Sequence, residues 1–342
     1  MSILITIIGF GVMILLHELG HFLAAKRFGV TVHEFSIGMG PKIFSVKKNE
    51  TTYSLRLFPI GGYVKLEGET KADDETDKAS FINLHPLKRI IVLFAGAFMN
   101  LLLGILIFTV INANMGVSPS VIHSIPAEFK NESPFNPGDE IIRLNNTRTH
   151  TYDDVSLFLS RNTDKNITVT FLRNGEKEII KDMPLFKTDY GYKLGVTFSS
   201  KDASFFESIR YAMYDTVYIT KAVVFALSDL ITGRVGLNAL SGPVEIISVV
   251  GEVTETKNEY TLFTVLMLFA MITVNLGIFN LLPFPALDGG SIIFALYELL
   301  TKRKVKEEIV GYVTAAGFVL LMLLAVFVTA GDIRDLLNNL RG

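Results

Sequence analysis

The chain contains no cysteine. That excludes disulfides and thiolate ligands, so any bound metal must be held by His, Asp or Glu. Excess charge of one sign is also missing. The net charge of −2 over 342 residues gives no broad basic field, and nucleic acid is not expected as a partner. The first sixteen residues carry no Lys or Arg ahead of their apolar run, and no small-residue cleavage site precedes His17. They therefore read as a retained transmembrane helix and not as a signal peptide. What the chain has in quantity is apolar sequence: 49% hydrophobic residues and a mean hydropathy of +0.41. This is the composition of a membrane protein with a soluble part.

Four segments are long and apolar enough to cross a bilayer, which takes about 20 residues: roughly 3–25, 90–112, 260–284 and 309–330. Basic residues gather between the first and second, Lys42, Lys47, Lys48, Arg56 and Lys65 among them. They gather again between the third and fourth, at Lys302, Arg303, Lys304 and Lys306. The positive-inside rule makes both loops cytoplasmic, and puts the N terminus, residues 113–259 and the C terminus outside.

Within the first apolar run stands His17-Glu18-Leu19-Gly20-His21, an H-E-x-x-H pattern. On a helix, residues i and i+4 share one face about 6 Å apart along the axis. Two imidazoles so placed can bind one zinc ion, with Glu18 beside them as general base toward a water. Three ionisable side chains inside a membrane-length segment are costly and mark a functional site. The bland alternative is a histidine pair packed at a helix end near the interface. The longer H-E-x-x-H-x-x-G-x-x-H pattern is absent, because Ala24 and Arg27 occupy its Gly and third His positions.

A third ligand must then come from elsewhere. The stretch Asn280-Leu-Leu-Pro-Phe-Pro-Ala-Leu-Asp288-Gly-Gly290 is the best source. Pro283 and Pro285 break a helix, and the glycines allow close approach. If the first and third spans both run outside to inside, His17 lies about 22 Å along its helix at 1.5 Å per residue. Asn275, Asn280 and Asp288 come equally late in theirs, so the two polar sets share a depth. Asn100 in the second span reads first as bundle packing and second as a site residue.

Around these lie more irregular stretches. In the loop after the first span, residues 43–46, 52–57 and 63–66 read as short strands with turns at 49–51 and at Pro59-Ile-Gly-Gly62. The loop could dip toward the site and offer a strand edge to an extended peptide, or be a plain cytoplasmic hairpin. Residues 67–80 are acidic and polar, a solvated segment. Residues 115–200 alternate apolar and polar, as in Ile167-Thr-Val-Thr-Phe171, with turns at Pro137-Gly138-Asp139 and Asn174-Gly175. They read as a small β-rich domain. Pro137 to Asn145 and the following Tyr152-Asp-Asp-Val155 resemble a PDZ domain's strand and the start of its short helix; a spacer domain is the rival. Residues 204–230 suit an interfacial amphipathic helix better than a fifth span.

Taken together, the chain resembles the site-2 protease family of intramembrane zinc metalloproteases, and within it the bacterial regulator-of-sigma-factor branch that carries a PDZ domain. The matching stretches are the H-E-x-x-H, the Asn-x-x-Pro-x-Pro-x-Leu-Asp-Gly of 280–289, Phe58-Pro-Ile-Gly-Gly-Tyr-Val-Lys65, and Leu230-Ile-Thr-Gly233 followed by Leu240-Ser-Gly-Pro-Val244. Ala97 departs from the family, which often has Pro after the equivalent of Gly96. The resemblance implies zinc bound by His17, His21 and Asp288, Glu18 as general base, and Asn275 and Asn280 near substrate. It implies single-span membrane proteins as substrates (anti-sigma factors trimmed first by another protease, or signal-peptide remnants), and residence in the bacterial cell membrane, N terminus outside.

The expected architecture is an α-helical multi-pass membrane protein of four transmembrane helices, with a membrane-associated β-loop and an inserted β-rich PDZ-like domain. Its segments are 1–27, the first span with H-E-x-x-H; 28–88, the β-loop; 89–114, the second span; 115–200, the extracytoplasmic PDZ-like domain; and 201–258, an amphipathic juxtamembrane stretch. The third span with Asp288 follows at 259–300, and 301–342 holds a cytoplasmic loop, the fourth span and the C terminus. The competing functions are a membrane-anchored PDZ adaptor without catalysis, which leaves the intramembrane charges unexplained, and a metal transporter, which needs polar residues at several depths.

Overall fold

The computed structural model describes residues 2–68, 79–188, 191–236, 242–256 and 258–339. Most of the acidic 67–80 segment, and Leu240 and Ser241 of the motif before the third span, thus lie outside the described residues. Among the described residues four helices have the length and composition to cross a membrane: α1 (Ser2–Arg27), α2 (Pro86–Met115), α6 (Thr261–Asn280) and α8 (Glu307–Asn339). They match the four apolar runs of the sequence. The chain forms two compact units, residues 1–104 with 225–342, and residues 105–224.

In the first unit, α1 and α2 come close because one residue has no side chain. A Cβ on Gly20 would run into the carbonyl of Ala95. After α1, β1 (Val32–Lys48) and β2 (Thr51–Leu66) pair antiparallel, from Val32 with Leu66 to Lys48 with Thr51. Asn49, at φ 55°, opens the connecting turn. The segment is more regular than its sequence suggests. Strand structure runs through Pro59-Ile-Gly-Gly62, where a turn is expected, and Ile37 pairs with Gly62 as well as with Leu55. Residues 34–37 of β1 pair with both 62–65 and 52–55 of β2, and long-range pairing overrides the local turn propensity of Pro and Gly. Val32, Phe35, Val64 and Leu66 close a core with Ala25, Val30 and Val92. Its polar side holds Glu34, which accepts hydrogen bonds from Ser54 and Arg56, the latter at 2.9 Å, and pairs with Lys42 at 3.1 Å.

The third apolar run does not continue to residue 284. Helix α6 stops at Asn280, and α7 (Asp288–Thr301) begins after an irregular link. Pro283 and Pro285 lack the N–H a helix needs, and Ala286 adopts a left-handed φ of 76°. Helix α5 (Pro243–Glu255) begins beneath Asp332 of α8, whose carboxylate accepts from the amides of Gly242, Val244 and Glu245 at 3.1–3.2 Å. Those are first-turn amides with no partner inside their own helix.

The second unit carries the β-rich insertion. Strands β3 (Ile122–Ser124), β4 (Glu140–Leu144) and β5 (Thr147–Arg148) precede helix α3 (Tyr152–Arg161). Then follow β6 (Asn166–Arg173), β7 (Glu176–Pro184), β8 (Phe186–Thr188), β9 (Gly191–Lys193) and β10 (Thr197–Phe198). The main sheet has the order β5-β4-β6-β7. The alternation of Ile167, Val169 and Phe171 places all three in the core beside Ile141, Leu144 and Val155. Asn174 and Gly175 turn β6 into β7 with φ of 52° and 84°, as a two-residue hairpin loop requires. Thr151 caps α3 by accepting from the Asp154 amide. Helix α4 (Phe205–Ile231) is amphipathic and is not among the candidate spans. In this unit it bonds to the insertion through Lys221, 2.7 Å from buried Asp154.

Candidate metal centre

The site starts on α1. His17 and His21 project from one face with ring centroids 4.7 Å apart, and their Nε2 atoms are 3.1 Å apart. The partner element is the start of α7. Asp288 is its first residue, following Leu287 in extended conformation. Its Oδ2 lies 3.2 Å from His17 Nε2 and 3.3 Å from His21 Nε2. Asp288 reaches that place because the 281–287 link folds back over the first turn of α7. A Cβ on Gly289 would strike the carbonyls of Leu281 and Leu282, and one on Gly290 the carbonyl of Phe284. A helix N-terminus also favours a carboxylate electrostatically.

The three donor atoms form a triangle of 3.1, 3.2 and 3.3 Å. Ligands at about 2.0–2.1 Å in a tetrahedral zinc shell are about 3.3–3.4 Å from each other, so the triangle fits one face of such a shell. Asp288 Oδ2 is buried and has no hydrogen-bond donor of its own, as expected for an atom meant for a cation. Two imidazoles and a carboxylate are the donor types of a catalytic zinc site with its fourth position free. Among the described residues these three are the one His/Asp/Glu group able to hold a metal ion.

The surroundings of the triangle come from α2 and β2. The Nδ1–H of His21 donates to the Val92 carbonyl at 2.9 Å, which leaves its Nε2 lone pair facing the triangle. Gly96 leaves the room that the two rings fill, since a Cβ there would overlap His21 Nε2 and sit 2.9 Å from His17 Cε1. Asn100 is fully buried with its amide 3.4 Å from His17 Nδ1. Glu18 lies against β2, its Cγ 3.4 Å from where a Cβ on Gly62 would be. Val92 and Gly96 went unnoticed as site residues in the sequence. A carbonyl leaves no sequence signal, and the one hint of Gly96 is a small-residue run, Ala95-Gly96-Ala97, in a bulky span. Asn275 and Asn280 sit on α6, and among the described hydrogen bonds neither reaches the triangle. Asn275 Oδ1 is buried without a partner.

The sequence profile of peptidase family M50 matches residues 5–324. The chain belongs to peptidase family M50. This M50 chain is 36% identical over 335 residues to a Clostridium acetobutylicum protein whose name proposes a zinc metalloprotease, covering 97% of each chain. A Fusobacterium nucleatum protein with a similar name is 35% identical over 347 residues, 99% of this chain and all of the relative. The zinc metalloprotease RasP of Geobacillus kaustophilus is 29% identical over 415 residues, 97% of this chain and 98% of its own. As a member of the site-2 protease family the protein is a membrane metalloendopeptidase, and zinc is its metal.

Proposed function

We propose that the protein is an intramembrane zinc endopeptidase that cuts the transmembrane segments of single-span membrane proteins, in the manner of regulated intramembrane proteolysis. The observation that carries this reading is the convergence at 3.1–3.3 Å of Asp288 with His17 and His21, which stand on a helix apolar enough to cross a bilayer. His17, His21 and Asp288 would hold the zinc. Bound there, zinc acidifies water and polarises a carbonyl. Glu18, next to the ligands and facing β2, takes the proton of the attacking water and passes it to the leaving amine. Its neighbour Gly62 lies on β2, where a Cβ would press on the Ser36 carbonyl of β1 at 2.8 Å and touch the Glu18 side chain at 3.4 Å.

A helix hides its carbonyls in internal hydrogen bonds, so a transmembrane substrate must unwind before it can be cut. The β1–β2 segment is read as the membrane-associated element that receives the unwound strand, because β2 passes beside Glu18 and a strand edge can pair with an extended chain. The residues 115–200 are read as a PDZ-like module outside the membrane. The sheet of β4–β7 and the helix begun by Tyr152 support that reading. The basic loops support an N terminus outside the cell membrane and residues 302–306 inside.

The test is a paired assay of wild type and Glu18→Gln in lipid or mild detergent, measuring bound zinc and cleavage of a single-span substrate. Zinc in both, with cleavage in wild type alone and abolished by chelation, is the expected result. A fully active Glu18→Gln would remove Glu18 from the mechanism, and well-folded wild type without zinc would reject the site.

A further inference from the structure

We infer that Asn100 is the positioning residue for His17: its side-chain oxygen accepts the Nδ1–H of that ring and fixes the tautomer that points Nε2 at the metal. The inference rests on the zinc-site reading above.

Asn100 is fully buried on α2, and a buried amide must satisfy both its ends. Its backbone carbonyl takes the Thr273 hydroxyl at 3.2 Å, so the backbone is tied to α6 and the side chain is left for His17. As placed, Nδ2 faces His17 Nδ1 at 3.4 Å and Oδ1 has no partner at all. That arrangement fails once His17 serves a cation. Its Nε2 already faces His21 Nε2 and Asp288 Oδ2, so a neutral ring must carry its hydrogen on Nδ1. Two N–H donors would then meet while an acceptor beside them goes unused. Turning the amide by half a rotation, which exchanges two atoms of almost the same size, puts Oδ1 opposite Nδ1–H. One rotation gives the buried Oδ1 a donor and the His17 Nδ1–H an acceptor.

His21 gives the precedent within the same site. Its Nδ1–H goes to the Val92 carbonyl, also on α2. Val92, Gly96 and Asn100 stand at i, i+4 and i+8, so one face of α2 supplies an acceptor for each histidine with a side-chain-free gap between them. The backbone can serve one ring. The second needs a side chain that accepts, and Asn100 is placed to do so.

Outer-shell partners of metal-bound histidines are worth about 10–100-fold in metal affinity. The test compares zinc dissociation constants, by competition with a chelator, for the full-length wild type, Asn100→Asp and the near-isosteric Asn100→Leu. Asn100→Leu is expected to weaken zinc about 10–100-fold. Asn100→Asp, which keeps the acceptor, is expected to stay within a few-fold of wild type. A packing role predicts the opposite order, with Leu tolerated and Asp damaging, and that order overturns the inference. Equal affinity in wild type and Asn100→Leu also overturns it. Nitrogen-15 shifts of the His17 ring in wild type give a readout that needs no variant to fold: the Nδ1–H tautomer is expected, and the Nε2–H tautomer overturns it. Folded wild type that takes up no zinc overturns the metal-site reading itself, and this inference with it.

Discussion

Asp288 is the corner that completes a triangle with the histidine pair, and its proposed contribution as a ligand is local and chemical. Replacing it by Ala removes one of the three proposed ligands and the negative charge among them. Asp288→Ala should bind much less than one zinc per chain by metal analysis, with little loss of helical circular dichroism; full occupancy with normal activity would reject Asp288 as a ligand. Gly96 acts by leaving space. A methyl group there meets both histidine rings, so Gly96→Ala should cost about 1–3 kcal/mol of overpacking strain. It should also lower zinc affinity, because the rings must move. Unchanged affinity in that variant would show that the rings give way without cost. The glycine at this position was visible in the sequence, but its purpose was not. A glycine in a span signals close approach without naming what approaches.

At the scale of elements, the break between α6 and α7 was legible because proline acts on its own backbone. The strand run through Pro59-Ile-Gly-Gly62 was not, because pairing with β1 decided it. The polar side of that segment has a testable pH dependence. Burial alone would push the Glu34 carboxyl up, but the bonds from Ser54, Arg56 and Lys42 outweigh it, and its value falls from the ordinary 4.5 to about 2. A depressed carboxyl stabilises the fold fully above its unfolded value and loses that contribution as pH falls toward the folded one. Hydrogen-exchange protection factors of β1 and β2 amides should therefore fall between about pH 4.5 and 2, more than those of neighbouring helices. Glu34→Gln should flatten the change; an unchanged profile would remove Glu34 as its source.

At the scale of the whole molecule, two properties can be checked on the intact chain. In the second unit, Asp215 on α4 takes a 2.8 Å hydrogen bond from Asn112. Burial, helped by the nearby charges of Asp153 and Asp154 and opposed by the Asn112 bond, pushes its carboxyl from 3.8 up to about 7. The unfolded chain ionises first, so stability should fall as pH rises from about 4 to about 7. Asp215→Asn should lose that slope in thermal denaturation; the same slope in the variant would place its origin elsewhere. The second property is orientation. The absence of cysteine makes single-cysteine labelling unambiguous. With an impermeant maleimide on intact cells, Asn146→Cys should react and Lys304→Cys should not. The reverse pattern would invert the proposed topology.

By itself the sequence determined whatever depends on short range or on composition. The four apolar runs, the i, i+4 histidines, the proline break before Asp288 and the exclusion of thiolate ligands all follow from spacing along one helix or from residue chemistry. It also singled out Asp288, through shared depth in two helices. Only the tertiary structure decided the rest. It set the 3.1–3.3 Å triangle, the Val92 carbonyl behind His21 and the place of Asn100 beside His17. These are distances between elements far apart in the chain. They are fixed by glycines whose missing side chains let α1 approach α2 and let the α6–α7 link fold onto the start of α7, and no local period records which surfaces will meet.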